Sequence, residues 1–88
     1  MLGMLADRTR LRLLAALLAG EQDVAALTAA TGSARPAVSQ HLGKLRLAGL
    51  VQVRRDGRRQ VYAVAGPHVA HLVTEVLHAA SRHLPAPR

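Results

Sequence analysis

The sequence is poor in the residues that build disulfides, aromatic cores and membrane spans. It has no cysteine, phenylalanine or tryptophan, and its single tyrosine is Tyr62. Without cysteine, the chain forms neither a disulfide nor a thiolate metal site, which is typical of a protein in a reducing compartment. Without other aromatic side chains, the core has to be built from Leu, Val and Ala. No apolar run reaches the roughly 18 residues that a membrane-spanning helix needs, so we expect a cytoplasmic protein that does not enter the membrane.

Acidic residues are also few. Five Asp and Glu stand against twelve Lys and Arg, which gives a formal net charge of +7 with neutral histidines. This excess favours an anionic partner, either nucleic acid or a membrane surface. No Gly-rich phosphate loop is visible, and Ser39 and His41 lie two residues apart on a predicted helix, so they do not face each other. We therefore expect a binding protein and not an enzyme.

The hydrophobic pattern predicts a mainly α fold with one small β-hairpin, in the order H-H-H-E-E-H. Apolar residues at helical spacing predict helices over residues 8–19, 24–31, 34–48 and 67–84. Alternating Val residues predict a hairpin over residues 50–64, and residues 21–23 are predicted as a turn. Asp7 and Asp23 are natural N-caps, and Gly20 and Gly32 end the first two helices. We expect residues 1–88 to be a single domain.

The chain is organised around the predicted helix 34–48. Val38, Leu42 and Leu45 recur at i, i+4 and i+7 and form one apolar stripe, while Pro36 fits the first turn. Away from the stripe lie side chains of the types that read base edges in the major groove, namely Arg35, Ser39, Gln40 and Lys44. A helix with a solvated polar face has the same pattern. The preceding helix and the short link through Gly32 decide the interpretation, because together they predict a helix-turn-helix whose second helix is the reader.

The predicted hairpin has a strongly basic tip. Asp56-Gly57 is a favoured centre for a type I′ turn, which needs positive φ at both residues. Four arginines crowd the tip: Arg54, Arg55, Arg58 and Arg59. Like charges repel and folding alone gives no reason to collect them, so we interpret the tip as a contact for a polyanion. The alternative is a solvated hairpin end.

The last helix carries two distinct faces. At about 100° per residue, one wide apolar face collects Val69, Leu72, Val73, Val76 and Leu77. That face is wider than one small core needs, which predicts a C2 homodimer. The opposite face collects His68, His71, Glu75 and His78. Imidazole and carboxylate suit Ni(II), Zn(II) or Co(II), although a solvated polar face has the same composition and Arg82 on this face opposes a bound cation.

Four stretches of the chain carry a family resemblance. They are Leu5-Ala-Asp-Arg-Thr-Arg-Leu-Arg-Leu-Leu14, Pro36-Ala-Val-Ser-Gln-His-Leu42 with Lys44-Leu45, Ala48-Gly-Leu-Val51, and Arg54-Arg-Asp-Gly-Arg58 with Val61-Tyr62. Together they resemble the ArsR (arsenical-resistance repressor) family of dimeric bacterial transcription regulators, nearest its nickel-, cobalt- and zinc-sensing subgroup, over about residues 4–84.

The resemblance implies a dimeric winged helix-turn-helix that binds double-stranded DNA. The implied reader contacts are Arg35, Ala37, Ser39 and Gln40, with His41 and Lys44 nearer the DNA backbone. The wing arginines would touch phosphates or the minor groove.

The sequence departs from the family pattern in two places. Family members usually carry an additional N-terminal helix, whereas six residues precede Asp7, so either the last helix carries more of the dimerisation or the start is truncated. The metal-sensing subgroup begins its site with Asp-x-His. Here Gly66 takes the place of the Asp, His68 matches, and the later ligand pair falls on Ala79 and Arg82. The standard site is therefore not intact, and a separate sensor protein is an alternative to a directly bound metal.

Two function classes remain at this point. The first is a sequence-specific DNA-binding regulator that acts as a homodimer on a palindromic operator. The second is a cationic membrane-surface or partner-binding module, since residues 8–18 form a basic amphipathic segment. The basic hairpin favours the first class, because a membrane-surface helix has no need of it. Binding to liposomes and to duplex DNA separates the two.

Overall fold

A computed structural model of the chain describes residues 7–83, with side chains as far as residue 80. The helices are α1 (Arg8–Leu18), α2 (Val24–Thr31), α3 (Arg35–Leu47) and α4 (Pro67–His83), and the strands are β1 (Gln22–Asp23), β2 (Val51–Asp56) and β3 (Arg59–Val64). The four predicted helices and the hairpin are present, and their described ends lie within one residue of the predicted bounds. The predicted helix end at Leu84 lies outside the described residues. None of the described helices is long and apolar enough to cross a bilayer.

The predicted turn at residues 21–23 contains a third strand. Gln22 and Asp23 form β1 and pair antiparallel with Tyr62 and Val61 of β3, so the sheet has the order β1-β3-β2. The six predicted elements occur in the predicted order H-H-H-E-E-H, and β1 is a short strand that the prediction omitted. Two residues are too few to show the alternating period that identifies a strand, and the pairing that creates β1 comes from a distant part of the chain.

Side-chain caps determine where α1 and α2 begin. The Asp7 carboxylate accepts a hydrogen bond from the Arg10 amide at 3.0 Å, and the Asp23 carboxylate accepts one from the Ala26 amide at 2.8 Å. The hydrogen bond from the Arg10 amide lowers the pKa of the Asp7 carboxyl. Gly32 ends α2 with φ 69°, a left-handed conformation that glycine adopts without strain. These predicted caps are confirmed, and α3 begins a short link after Gly32.

The hairpin turn differs from the predicted one. Asp56 pairs with Arg59, so the two central residues are Gly57 and Arg58. Gly57 has φ 63°, and no other residue type in the described chain has positive φ. Positive φ at the first central position alone is the pattern of a type II′ turn. The predicted type I′ turn centred on Asp56-Gly57 is wrong, because Asp56 is itself paired with Arg59 and the centre of the turn lies one residue further on.

The core lies where the apolar stripes of α1, α2 and α3 meet the sheet and α4. Its buried members are Leu13, Leu14, Leu17, Leu27, Val38, Leu42, Leu45, Leu50, Val51, Tyr62 and Val73. The predicted stripe of α3 is confirmed, since Val38, Leu42 and Leu45 are all fully buried. Helix α3 is therefore anchored along one face, and its other face is presented to solvent.

Most of the apolar face of helix α4 packs against the core of its own protomer. Val73 is 0% exposed and belongs to the core, while Val69, Val76 and Leu77 are half-buried and pack against that core. Leu72 is 40% exposed. The prediction that Val73 lines a dimer interface is wrong, because this side chain is enclosed within its own chain. The surface left for a partner consists of Leu72 with the exposed edges of the three half-buried residues.

Candidate nucleic-acid interface

The outward face of α3 carries the predicted reader residues. Ser39, Gln40 and Lys44 are exposed, and Ala37 is half-buried in the first turn. Ala34 caps the helix without a side-chain hydrogen bond, and Pro lies in the first turn. The apolar stripe on the opposite side of α3 is buried in the core, so these side chains point away from the protein into solvent. The major groove of DNA admits an α-helix that presents polar side chains on its exposed face.

His41 is tied to α1. Its side chain is half-buried, and its Nδ1 accepts a hydrogen bond from the Arg10 Nε at 3.2 Å. Since Nδ1 accepts, the neutral ring carries its proton on Nε2. The family resemblance placed His41 near the DNA backbone and did not indicate this link. Arg8, Arg10 and Arg12 lie near the start of α1, where the helix dipole disfavours cations, and this placement is a sequence signal for a partner of Arg10.

Two of the four wing arginines are paired with carboxylates. Arg54 forms a two-pronged salt bridge with Glu21, and the Arg59 Nε lies 3.1 Å from the Asp23 Oδ2. The hydrogen bond from Arg54 lowers the pKa of Glu21, so this pairing holds above the usual Glu pKa and weakens as the pH falls through the lowered value. The premise that folding gives no reason to collect arginines at the tip is therefore wrong for Arg54 and Arg59. Strand β1 brings both carboxylates to the hairpin.

The other two wing arginines are uncompensated. Arg55 and Arg58 are exposed, and neither forms a salt bridge with any side chain that the structure describes. The Arg55 Nε contacts only the Gly57 carbonyl, at 3.4 Å. The tip of the wing thus keeps two cations that are available to an external anion.

A cleft joins the wing to the start of α3. It has a volume of about 320 Å³ and is lined by Asp23, Arg35, Arg55, Arg58 and Arg59 together with residues at the beginning of α2. The sequence pattern placed Arg35 among the base-reading residues and the other arginines in the wing. In the structure all four arginines line one concavity, which spacing along the chain does not reveal.

The predicted metal ligands do not converge within one chain. His68, His71, Glu75 and His78 are all exposed on α4. Among the described residues, no three His, Asp or Glu side chains come together in a group that could hold an ion. A single protomer therefore does not fit a complete divalent-metal site at these positions.

The chain is a winged helix-turn-helix protein. It has three helices, the last of which presents a free polar face, and a basic β-hairpin follows them. Residues 7–53 match the family described as bacterial regulatory protein, arsR family. The chain belongs to the ArsR family, which confirms the resemblance found in its sequence.

Named relatives and solved structures agree with this assignment. The HTH-type transcriptional regulator KmtR of Mycobacterium tuberculosis is 45% identical over 74 residues, which cover 84% of this chain and 57% of KmtR. A probable mercury resistance operon repressor of Streptomyces lividans is 46% identical over 69 residues, covering 78% and 55%. The chain spans about half the length of these curated relatives.

This chain superposes with a TM-score of 0.83 on a solved domain of Mb0332 from Mycobacterium bovis, a possible ArsR-family regulator. That structure is a homodimeric winged helix-turn-helix DNA-binding domain. That domain is 41% identical, and the match covers 92% of this chain and 75% of that one. The winged helix-turn-helix architecture that the resemblance implied is therefore confirmed, with β1 as its one addition.

Proposed function

We propose that the chain is a sequence-specific DNA-binding transcription regulator that acts as a homodimer on a palindromic operator in the bacterial cytoplasm. The observation that carries the proposal is the free polar face of α3 standing beside a wing with two uncompensated arginines. A net charge of +7 adds long-range attraction to DNA. The names of the relatives, which are regulators and repressors, support the same function.

The residues divide into readers and anchors. Ser39 and Gln40 read base edges, since a hydroxyl and an amide form hydrogen bonds there, and the Ala37 methyl group suits a thymine methyl. Lys44 and the wing arginines hold phosphates, which positions the helix without selecting a sequence. His41 is placed by Arg10 so that its Nε2–H is the free donor of the ring.

A two-fold partner completes the arrangement. Leu72 and the exposed edge of Val76 lie on α4, away from the fully buried Val73. An isologous contact through this edge pairs the same patch on both subunits. Two copies of α3 would then enter successive major grooves about 34 Å apart, one turn of DNA. The homodimeric state of the Mb0332 domain supports this geometry.

The wing is tested through the salt dependence of binding. Replacing both Arg55 and Arg58 by Ala is expected to flatten the slope of log K against log salt by about one to two units, since each neutralised phosphate contributes about −0.9. Titrations of a labelled duplex at several salt concentrations measure this slope. Arg12→Ala, which removes an exposed cation from α1, is the control and should leave the slope nearly unchanged. An unaltered slope in the double variant would make the wing a solvated hairpin.

A divalent-metal effector stays a prediction of the sequence. Because His68, His71, Glu75 and His78 do not form a site in one chain, a site would need ligands from a second copy of α4. If Ni(II), Zn(II) or Co(II) is the effector, calorimetry on the dimer will show binding, and the metal will change DNA affinity by linkage.

The double variant His71→Ala with His78→Ala is then expected to remove that coupling and to leave DNA binding without metal unchanged. Absence of metal binding in wild-type protein, or binding with no effect on DNA affinity, would contradict this prediction. Sensing would in that case fall to another ligand or to a separate sensor protein.

A further inference from the structure

We infer that the cleft between the wing and the start of α3 is a phosphate-binding site that holds one backbone phosphate of the DNA. Arg35 is then a phosphate contact shared with the wing and not a reader of bases. The inference rests on the proposed function. It adds the place at which α3 and the wing bind the same DNA phosphate.

The charge balance of the cleft favours a single anion. Four arginines line it, and Asp23 is the one acidic residue among its lining residues. Asp23 is already committed, because one of its oxygens caps α2 and the other lies 3.1 Å from the Arg59 Nε. Arg35, Arg55 and Arg58 have no salt bridge to any described side chain. Three cations facing one concavity repel one another until an anion enters between them.

The chemistry of the cleft suits a phosphate better than a base. The planar guanidinium forks match phosphate oxygens, often two at a time. No aromatic side chain is present for a base to stack on, since Tyr62 is buried in the core. Ser39 and Gln40, one turn further along α3, are outside the cleft lining and remain free to read bases.

A shared phosphate has a measurable signature. When two arginines hold the same phosphate, their substitutions are not additive, and the pair together accounts for one released counterion. We expect Arg35→Ala and Arg55→Ala each to weaken binding by about five- to tenfold, equally on an operator duplex and on a random duplex of the same length. The double variant should bind at least about threefold more tightly than the product of the single losses predicts. The slope of log K against log salt should be flatter in the double variant than in wild type by about one unit, and not by two.

The experiment is a fluorescence anisotropy titration of both duplexes with the full chain, at several salt concentrations. Arg12→Ala serves as the matched control for the loss of one positive charge, and circular dichroism verifies that each variant is folded. A second arm adds inorganic phosphate at constant ionic strength. It should compete with DNA more strongly than chloride does, and this excess should disappear in Arg35→Ala.

Several results would overturn the inference. A loss confined to the operator in Arg35→Ala would return this residue to base readout. Additive losses with a slope change of about two units would mean two separate phosphates. Saturation of the cleft by inorganic phosphate, combined with unchanged DNA binding in Arg35→Ala, would make the cleft a site for free phosphate. In all three cases wild-type protein still binds DNA, so the proposed function would stand; failure of wild type to bind either duplex would overturn that function itself.

Discussion

Val73→Asp is expected to remove a large part of the stability of the fold and to lower its Tm strongly. Val73 is 0% exposed at the centre of the face that joins α4 to the core. A carboxylate there loses its hydration without gaining a partner, and an uncompensated buried charge costs at least about 3–5 kcal/mol. A domain of this size has a total stability of only about 4–13 kcal/mol, at ~0.05–0.15 kcal/mol per residue. Circular dichroism with thermal scanning measures the loss of helix and the fall in Tm.

Leu72→Asp is the matched control, one position away on the same helix. Its side chain is 40% exposed, so the carboxylate stays hydrated and the protomer should fold. If Leu72 contacts a second copy, the variant should sediment as a monomer where wild type sediments as a dimer. A well-folded Val73→Asp variant with the wild-type Tm would contradict the core position of α4. A dimeric Leu72→Asp variant would move the interface to another part of the chain.

Gln40→Ala is expected to erase much of the sequence preference. Gln40 is exposed in the middle of α3, and an amide that forms two hydrogen bonds to adenine discriminates by about 1–3 kcal/mol. Operator affinity should therefore fall by about 5- to 150-fold, while affinity for random DNA changes little. Competition between operator and random duplexes in one titration measures both effects together.

Lys44→Ala is the contrasting variant for the readout test. Lys44 is exposed just over one helical turn beyond Gln40, where a cation is expected to meet phosphates. Its loss should weaken both duplexes alike and leave their affinity ratio unchanged. If Gln40→Ala also lowers both affinities equally, Gln40 positions the helix and the sequence is read elsewhere.

The parts of the fold that depend on neighbouring residues could be predicted from the sequence. The stripe of Val38, Leu42 and Leu45 and the caps at Asp7 and Asp23 act over three to seven positions, so their periodicity and chemistry are visible in one dimension. A turn containing Gly57 could be predicted in the same way, although the pairing of Asp56 with Arg59 moves its centre by one residue. The free polar face of α3 follows from the same periodicity, and with it the exposure of Ser39 and Gln40.

The features that depend on distant pairing could not be predicted. Strand β1 exists because β3 pairs with it, and only then do Glu21 and Asp23 reach Arg54 and Arg59. Val73 shows no sequence difference from the apolar residues around it, and its burial depends on how α4 packs against α1 and β3. The gathering of Arg35 with the wing arginines depends on the same tertiary arrangement, which spacing along the chain does not encode.

The most direct test of the account is a mobility-shift titration of the full chain on the DNA upstream of its own gene, with a large excess of random duplex as competitor. The account predicts a discrete complex that survives the competitor at moderate salt, weakens steeply as salt rises, and contains two protein chains. Equal displacement by random DNA, or tighter binding to anionic liposomes than to the upstream duplex, would contradict sequence-specific recognition through α3 and the wing.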